Sequence, residues 1–203
     1  MKGLLVDFGG VLTTNVFDSF KAFCEKEGLD PDAVKRLFRD DPRAIESVRA
    51  LERGELTEDG FAERFGELLE LAPERRAGLV ERMFGHIRPD DEMVAALRRA
   101  RAQGIRTGLI SNSMGAGRYD RSTFGELFDG VVISGDEGIH KPQPEIYELG
   151  CERVGLAPAD CVFVDDLREN CDGAEAVGMT AVLHRGAERT LPRLEDLLGV
   201  ELR

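Results

Sequence analysis

Basic residues are in short supply in this chain. Lys and Arg number 27 against 39 Asp and Glu, which leaves a formal net charge of −12. Nucleic-acid binding draws on clusters of Lys and Arg that neutralise phosphates, so this balance argues against nucleic acid as a partner. It suits a small anionic ligand held by local dipoles or a metal. Of Lys and Arg, lysine is the scarcer, with five copies (Lys2, Lys21, Lys26, Lys35 and Lys141) beside 22 arginines, so each one stands out. Long apolar runs are also lacking. No segment approaches the ~20 residues of a membrane span. The apolar start of the chain is interrupted by Asp7, without the core or cleavage site of a signal peptide. The expectation is a cytoplasmic protein with no membrane contact. Cysteine is sparse and unpatterned: Cys24, Cys151, Cys161 and Cys171 form no C-x-x-C pair and no metal-ligand spacing. They read as reduced core residues, not as disulfides or a zinc site.

What is present is the composition of a folding chain. With 203 residues, 42% of them hydrophobic and 33% charged, it can form one domain or a core carrying an insertion. Near-continuous apolar runs at Gly3–Val6, Arg106–Ile110, Gly130–Ser134, Cys161–Val164 and Thr180–His184 read as parallel strands buried on both faces. Helical stripes separate the later runs: Met93, Val94, Leu97 and Ala100 before the second, Ile146, Leu149 and Val154 before the fourth. This alternation predicts an α/β fold, a Rossmann-like parallel sheet with crossover helices. The gap between the first two strands is too long for one crossover and carries a helical period throughout, as in Phe20 and Phe23, Phe61 and Phe65, Leu79 and Met83. The predicted layout is therefore a core of residues 1–14 and 88–203, with an inserted small helical domain at 15–87. Thr57 is the expected N-cap of one inserted helix, and Pro89 the expected start of the helix containing Met93.

Ligands of open parallel sheets bind outside the carboxyl ends of the strands. The residues predicted there are Asp7 after the first strand, Ser111 and Asn112 after the second, Lys141 in the loop after the third, and Asp165 with Asp166 after the fourth. Singly, each reads as a cap or a solvated loop residue. In the order Asp, Ser, Lys-Pro, Asp-Asp they resemble the signature motifs of the haloacid dehalogenase-like hydrolase superfamily. "KPQPEIY" and "VDDLREN…GAEAVGM" are similar to the branch with sugar-phosphate phosphatases and the N-terminal phosphatase domain of soluble epoxide hydrolase. The resemblance spans nearly the whole chain, with the helical insert where many members carry a cap. It implies a magnesium-dependent phosphatase acting on a small phosphorylated metabolite through an aspartyl phosphate on Asp7. It further implies magnesium ligation by Asp7, Asp166 and the Gly9 carbonyl, with Asp165 behind them orienting metal-bound water. Ser111 and Asn112, with the Phe8, Gly9 and Gly10 backbone, would hold the phosphoryl group.

Elementary electrostatics agrees with that assignment. An ionised Asp7 approaching a phosphate dianion at ~3.5 Å meets about 5 kcal/mol of repulsion per unit-charge pair at an effective dielectric of ~20. A divalent cation and Lys141 are natural offsets. One feature departs from the family pattern: Gly9 stands where most of these phosphatases carry an acid-base Asp, two residues after the nucleophile. Three readings stay open. Another group relays the proton, His140 being nearest in sequence; the substrate dispenses with it; or the chain is a catalytically weakened protein that binds a phosphorylated ligand or partner. A dehalogenase is a further alternative, disfavoured because those enzymes work without metal and Asp165–Asp166 suits one. For substrate contacts, the turn "ALERGEL" offers Arg53 and Glu55, and "GAGRYDR" offers Tyr119 with Arg118 or Arg121.

Overall fold

The computed structural model describes residues 2–113, 119 and 121–203. The chain runs β1 (Gly3–Val6), α1 (Val16–Glu27), α2 (Ala33–Asp40), α3 (Pro42–Glu52), α4 (Glu58–Leu68), α5 (Leu79–Phe84) and α6 (Asp91–Ala102). It continues through β2 (Arg106–Ser111), α7 (Phe124–Leu127), β3 (Gly130–Ile133), α8 (Ser134–Glu137) and α9 (Pro144–Val154). β4 (Cys161–Asp165), α10 (Arg168–Ala176), β5 (Thr180–Leu183) and α11 (Ala187–Leu198) complete it. The five strands form one parallel sheet in the order β3-β2-β1-β4-β5, each within a residue of its predicted bounds.

Alternation along β1 shows why the strand is apolar throughout. Leu4 and Val6 pack on one face with Met93 and Leu97 of α6 and Leu191 and Leu194 of α11. Leu5 points the other way, into a cluster with Ile146, Tyr147 and Cys151 of α9 and Phe163 of β4. Burying a side chain of this size stabilises by about 1.5–3 kcal/mol, so a strand covered on both faces tolerates no polar residue before its end. All four cysteines are buried and free. Among the described residues no helix is long and apolar enough to cross a membrane.

Helices α1–α5 enclose an apolar cluster of their own, with Phe20, Phe23, Phe61, Phe65, Leu79 and Met83 at its centre. The helical stripes of the sequence point inward here, and the Phe61 and Phe65 rings stack at 4.9 Å. Thr57 caps α4 as predicted, its hydroxyl accepting from the Gly60 amide at 3.1 Å. The chain leaves and re-enters the sheet region along two adjacent segments. Thr13 and Pro89 form an isolated antiparallel bridge, and the Asp90 amide donates to the Leu12 carbonyl at 2.9 Å. Pro89 is therefore not the first residue of α6. Asp90 is the cap, its carboxylate accepting from the Met93 amide at 3.0 Å, and the helix starts at Asp91.

Candidate active site

The central position of β1 sets the site. The Asp7 amide still pairs with β4, donating to the Val164 carbonyl at 2.9 Å, so the Asp7 side chain leaves the sheet at its carboxyl edge. One oxygen of Asp7 lies 2.7 Å from the Lys141 ammonium, and Asp165 Oδ2 lies 2.7 Å from the same nitrogen. Lys141 is 3% exposed and Asp165 is fully buried. The main chain at Lys141 is held from β2: Asn112 Oδ1 accepts from the Lys141 amide at 2.8 Å, and Asn112 Nδ2 donates to its carbonyl at 3.2 Å. Asp165 accepts further bonds from the Leu167 amide at 2.8 Å and the Asn170 side chain at 3.0 Å. Both its oxygens are thus committed.

The glycine pair divides two tasks. Gly10 has φ 75°, a left-handed conformation that favours glycine, and a Cβ built on it would stand 2.5 Å from Asp166 Oδ2. The Asp166 carboxyl therefore rests against bare backbone. The Gly10 amide donates to the Thr13 hydroxyl at 3.1 Å, which removes it from the set expected to hold a phosphoryl group. The Phe8 and Gly9 amides have no acceptor among the described residues and remain able to receive an anion.

Three carboxylates, from Asp7, Asp165 and Asp166, each offer an oxygen within 4.8 Å of the others. Burial pushes the Asp7 carboxyl up to about 7; Lys141 pulls it down, and Asp165 and Asp166 add to the rise. Burial, then Asp165, pushes Asp166 up to about 6. Lys141 loses some basicity to burial, but Asp165 and Asp7 outweigh that and hold it protonated above its ordinary range. A single ammonium thus leaves negative charge over in an all-oxygen site. That donor set and that excess charge fit a hard divalent cation such as Mg²⁺.

Ser111, at the end of β2, is buried, with its hydroxyl 2.9 Å from the Tyr119 hydroxyl. Tyr119 in turn sets its ring against Phe8, with centroids 5.0 Å apart. Asp7, Phe8, Gly9, Ser111, Asn112, Lys141, Asp166 and Tyr119 line one cavity of about 810 Å³ shared with helices α1–α5.

The "ALERGEL" turn delivers a different residue from those predicted. Arg53 pairs with Glu55 at 2.7 Å and Glu46 at 3.0 Å on the surface, as a plain helix–helix turn would have it. Glu52, the last residue of α3, lines the cavity instead. Its main-chain carbonyl accepts from the Ser134 hydroxyl at 2.6 Å, and that hydroxyl accepts from the Ser113 amide at 2.8 Å. Gly54 adds to the docking, since a Cβ there would stand 3.3 Å from the Gly135 carbonyl oxygen. So seated, the Glu52 carboxyl feels Lys141 and Asp7. Burial raises it to about 7, against the opposing pull of Lys141 and Asn112. Asn112, where a phosphate contact was predicted, spends both ends of its side-chain amide on the Lys141 main chain.

Two other expectations, His140 and Arg121, fall away. His140 is absent from the cavity lining, and its Nδ1 lies 2.8 Å from the Lys141 carbonyl oxygen. Arg121 pairs with Asp136 at 2.8 Å, outside the lining. Arg118 lies outside the described residues.

Residues 1–178 match the family model of haloacid dehalogenase-like hydrolases. The chain belongs to that family. It is 29% identical over 157 residues to the sesquiterpene phosphatase astK of Aspergillus oryzae, a match covering 76% of this chain and 80% of the fungal one. It is 33% identical over 135 residues to the phosphoserine phosphatase of Thermus thermophilus, covering 60% of this chain but 53% of that enzyme. A haloacid dehalogenase-like family enzyme of Bacteroides thetaiotaomicron, solved in complex with magnesium and inorganic phosphate, shares the fold. Its TM-score is 0.64 at 20% identity, over 91% of this chain and 94% of that one. Family membership makes this chain a hydrolase with phosphatases among its relatives.

Proposed function

We propose that this haloacid dehalogenase-like hydrolase is a magnesium-dependent phosphatase of small phosphomonoesters, working through an aspartyl phosphate on Asp7. The observation that carries the proposal is the sharing of one buried lysine by Asp7 and Asp165, 2.7 Å from each, beside Asp166. Lys141 draws its charge toward the nucleophile, and Asp165 fixes it there. Asp7, Asp166 and the Gly9 carbonyl would hold the metal, with Asp165 behind them. When bound, the metal offsets charge on the carboxylates and the phosphoryl oxygens. The Phe8 and Gly9 amides and the Ser111 hydroxyl receive the phosphoryl group, and Tyr119 keeps that hydroxyl aimed. Helices from 15–87 act as a cap over the site.

The proton missing at Gly9 is assigned to Glu52. An Asp7 oxygen attacks phosphorus while the bond from phosphorus to the leaving oxygen breaks, and the protonated Glu52 gives that oxygen its proton. The resulting Glu52 carboxylate then takes a proton from water as the water attacks the acyl phosphate. Inorganic phosphate departs, and the Asp7 carboxylate and the Glu52 acid are restored. A carboxyl poised near neutrality suits both halves of this cycle. Glu52 also weighs against a weakened binding protein, which has no use for such a group.

Phosphate release from p-nitrophenyl phosphate, with and without Mg²⁺, tests the proposal. The wild type should turn over only with the metal. Asp7→Asn should be inactive yet melt at a similar temperature. Comparable turnover in Asp7→Asn would overturn the covalent mechanism.

A further inference from the structure

The cavity above Asp7 is unlike its floor. Its polar groups gather at the strand ends, whereas the cap side is built from Val16, Phe17, Phe20, Phe38, Phe84 and other apolar side chains. The rings form a continuous array. Phe20 meets Phe17 at 5.8 Å, Phe38 at 6.0 Å and Phe84 at 5.3 Å between centroids. Two large hydrophobic residues at the cavity stay exposed: Phe17 at 42% and Leu167, from the opposite wall, at 49%. Among the described residues, the cap side contributes no cation to the lining; its charged members are Glu52, Glu58 and Glu81. Lys141, the one cation in the described lining, is already committed to Asp7 and Asp165.

We infer that the substrate is a phosphomonoester with a bulky hydrocarbon or aromatic body. The inference rests on the phosphatase reading above and narrows it. A sugar would leave its hydroxyls facing rings, losing hydrogen bonds made in water. A hydrocarbon body loses none, and it covers Phe17 and Leu167 as it enters. A volume of about 810 Å³ lies within the range of pockets that enclose small molecules.

The test separates affinity from turnover. Calorimetry with Mg²⁺ and a series of n-alkylphosphonates from methyl to decyl reads binding without chemistry. Each methylene drawn into the hood should tighten binding by about three- to fourfold until the space is filled. Phe17→Ser and Leu167→Ser, both at partly exposed positions, should flatten that dependence. Equal affinity for methyl- and decylphosphonate would overturn the inference, as would tighter binding of a polyhydroxylated phosphonate. Phosphate release from the matching alkyl phosphates reads the underlying function separately. Chain-length-dependent binding without turnover would sink the phosphatase reading and leave the ligand class standing. Turnover that favours glycerol phosphate or phosphoserine over decyl phosphate would do the reverse.

Discussion

Replacing Glu52 by Gln tests the assignment of the proton-transfer group. Glutamine keeps the size of the side chain, and the bond from the Ser134 hydroxyl is untouched because at residue 52 it engages only the main-chain carbonyl. The exchange removes the titrating proton and little else. General acid–base catalysis contributes roughly 10²–10⁴-fold, about 3–5 kcal/mol of barrier, and the loss should fall unevenly. A nitrophenolate leaves readily as an anion, so p-nitrophenyl phosphate should lose less than about tenfold. An alkoxide leaves poorly, so an alkyl phosphate should lose the full factor. With the Glu52 carboxyl at about 7, wild-type alkyl phosphate turnover should decline as pH rises through neutrality and strips the acid. The variant should lack that decline. Steady-state kinetics with both substrates between pH 5.5 and 8.5, each protein first checked by thermal melting, supplies the measurement. A folded variant that loses both activities equally, or keeps alkyl phosphate turnover within a few-fold, would show that Glu52 does not carry the proton.

Other substitutions probe the floor. Asp166→Ala should weaken Mg²⁺ binding more than Asp165→Ala does, read by calorimetry. Asp165→Ala should instead destabilise the fold by about 3–5 kcal/mol, because it strips a buried partner from Lys141. Asp7 and Asp166 sit at about 7 and 6, above their ordinary 3.8. The folded, metal-free protein therefore holds protons that the unfolded chain releases, and these groups lower its stability as pH rises from about 4 to 7. Mg²⁺ favours the ionised carboxylates, so the melting-temperature gain it confers should grow from pH 5 to 7.5. A gain independent of pH would count against a site built from these two acids. Gly9→Asp should fold, since its φ lies outside the left-handed region and a Cβ there meets only Val16 Cγ2, at 3.2 Å. On its own it should change alkyl phosphate turnover little. In the Glu52→Gln background it should recover a tenfold or greater part of the loss, and failure to do so in a folded double variant would argue that position 9 cannot serve as the acid.

The sheet was legible in the sequence because parallel strands buried on both faces have to be apolar along their length, and because β1, β2 and β4 end abruptly at Asp7, Ser111 and Asp165. Neighbouring strands in register bring those ends together, so the convergence of Asp7, Ser111 and Asp165 follows from topology once strand order is known. Glu52 left no comparable trace. An acid at a helix end, followed by Arg and Gly, reads like any solvated turn. Its burial depends on the α3–α4 turn seating against Ser134 and Gly135, a contact 82 residues distant in sequence. The grip of Asn112 on the Lys141 main chain was hidden for the same reason, since its partner lies 29 residues along the chain. α11 was masked differently: Pro192 lies inside the helix and interrupts the local signal, yet Leu191, Leu194 and Leu198 bury its apolar face against the sheet.

The two glycines after Asp7 have opposite evolutionary prospects, although they are adjacent and chemically identical. A glycine codon becomes an aspartate or a glutamate codon by a single base change. At position 9 such a change would place a new carboxyl in the cavity, against no obstacle harder than one valine methyl. At position 10 it would force a side chain into a left-handed conformation and onto the carboxylate of Asp166. Mutation can thus add a carboxyl at one site with little strain, while at the other every residue with a side chain meets both backbone strain and the Asp166 carboxylate.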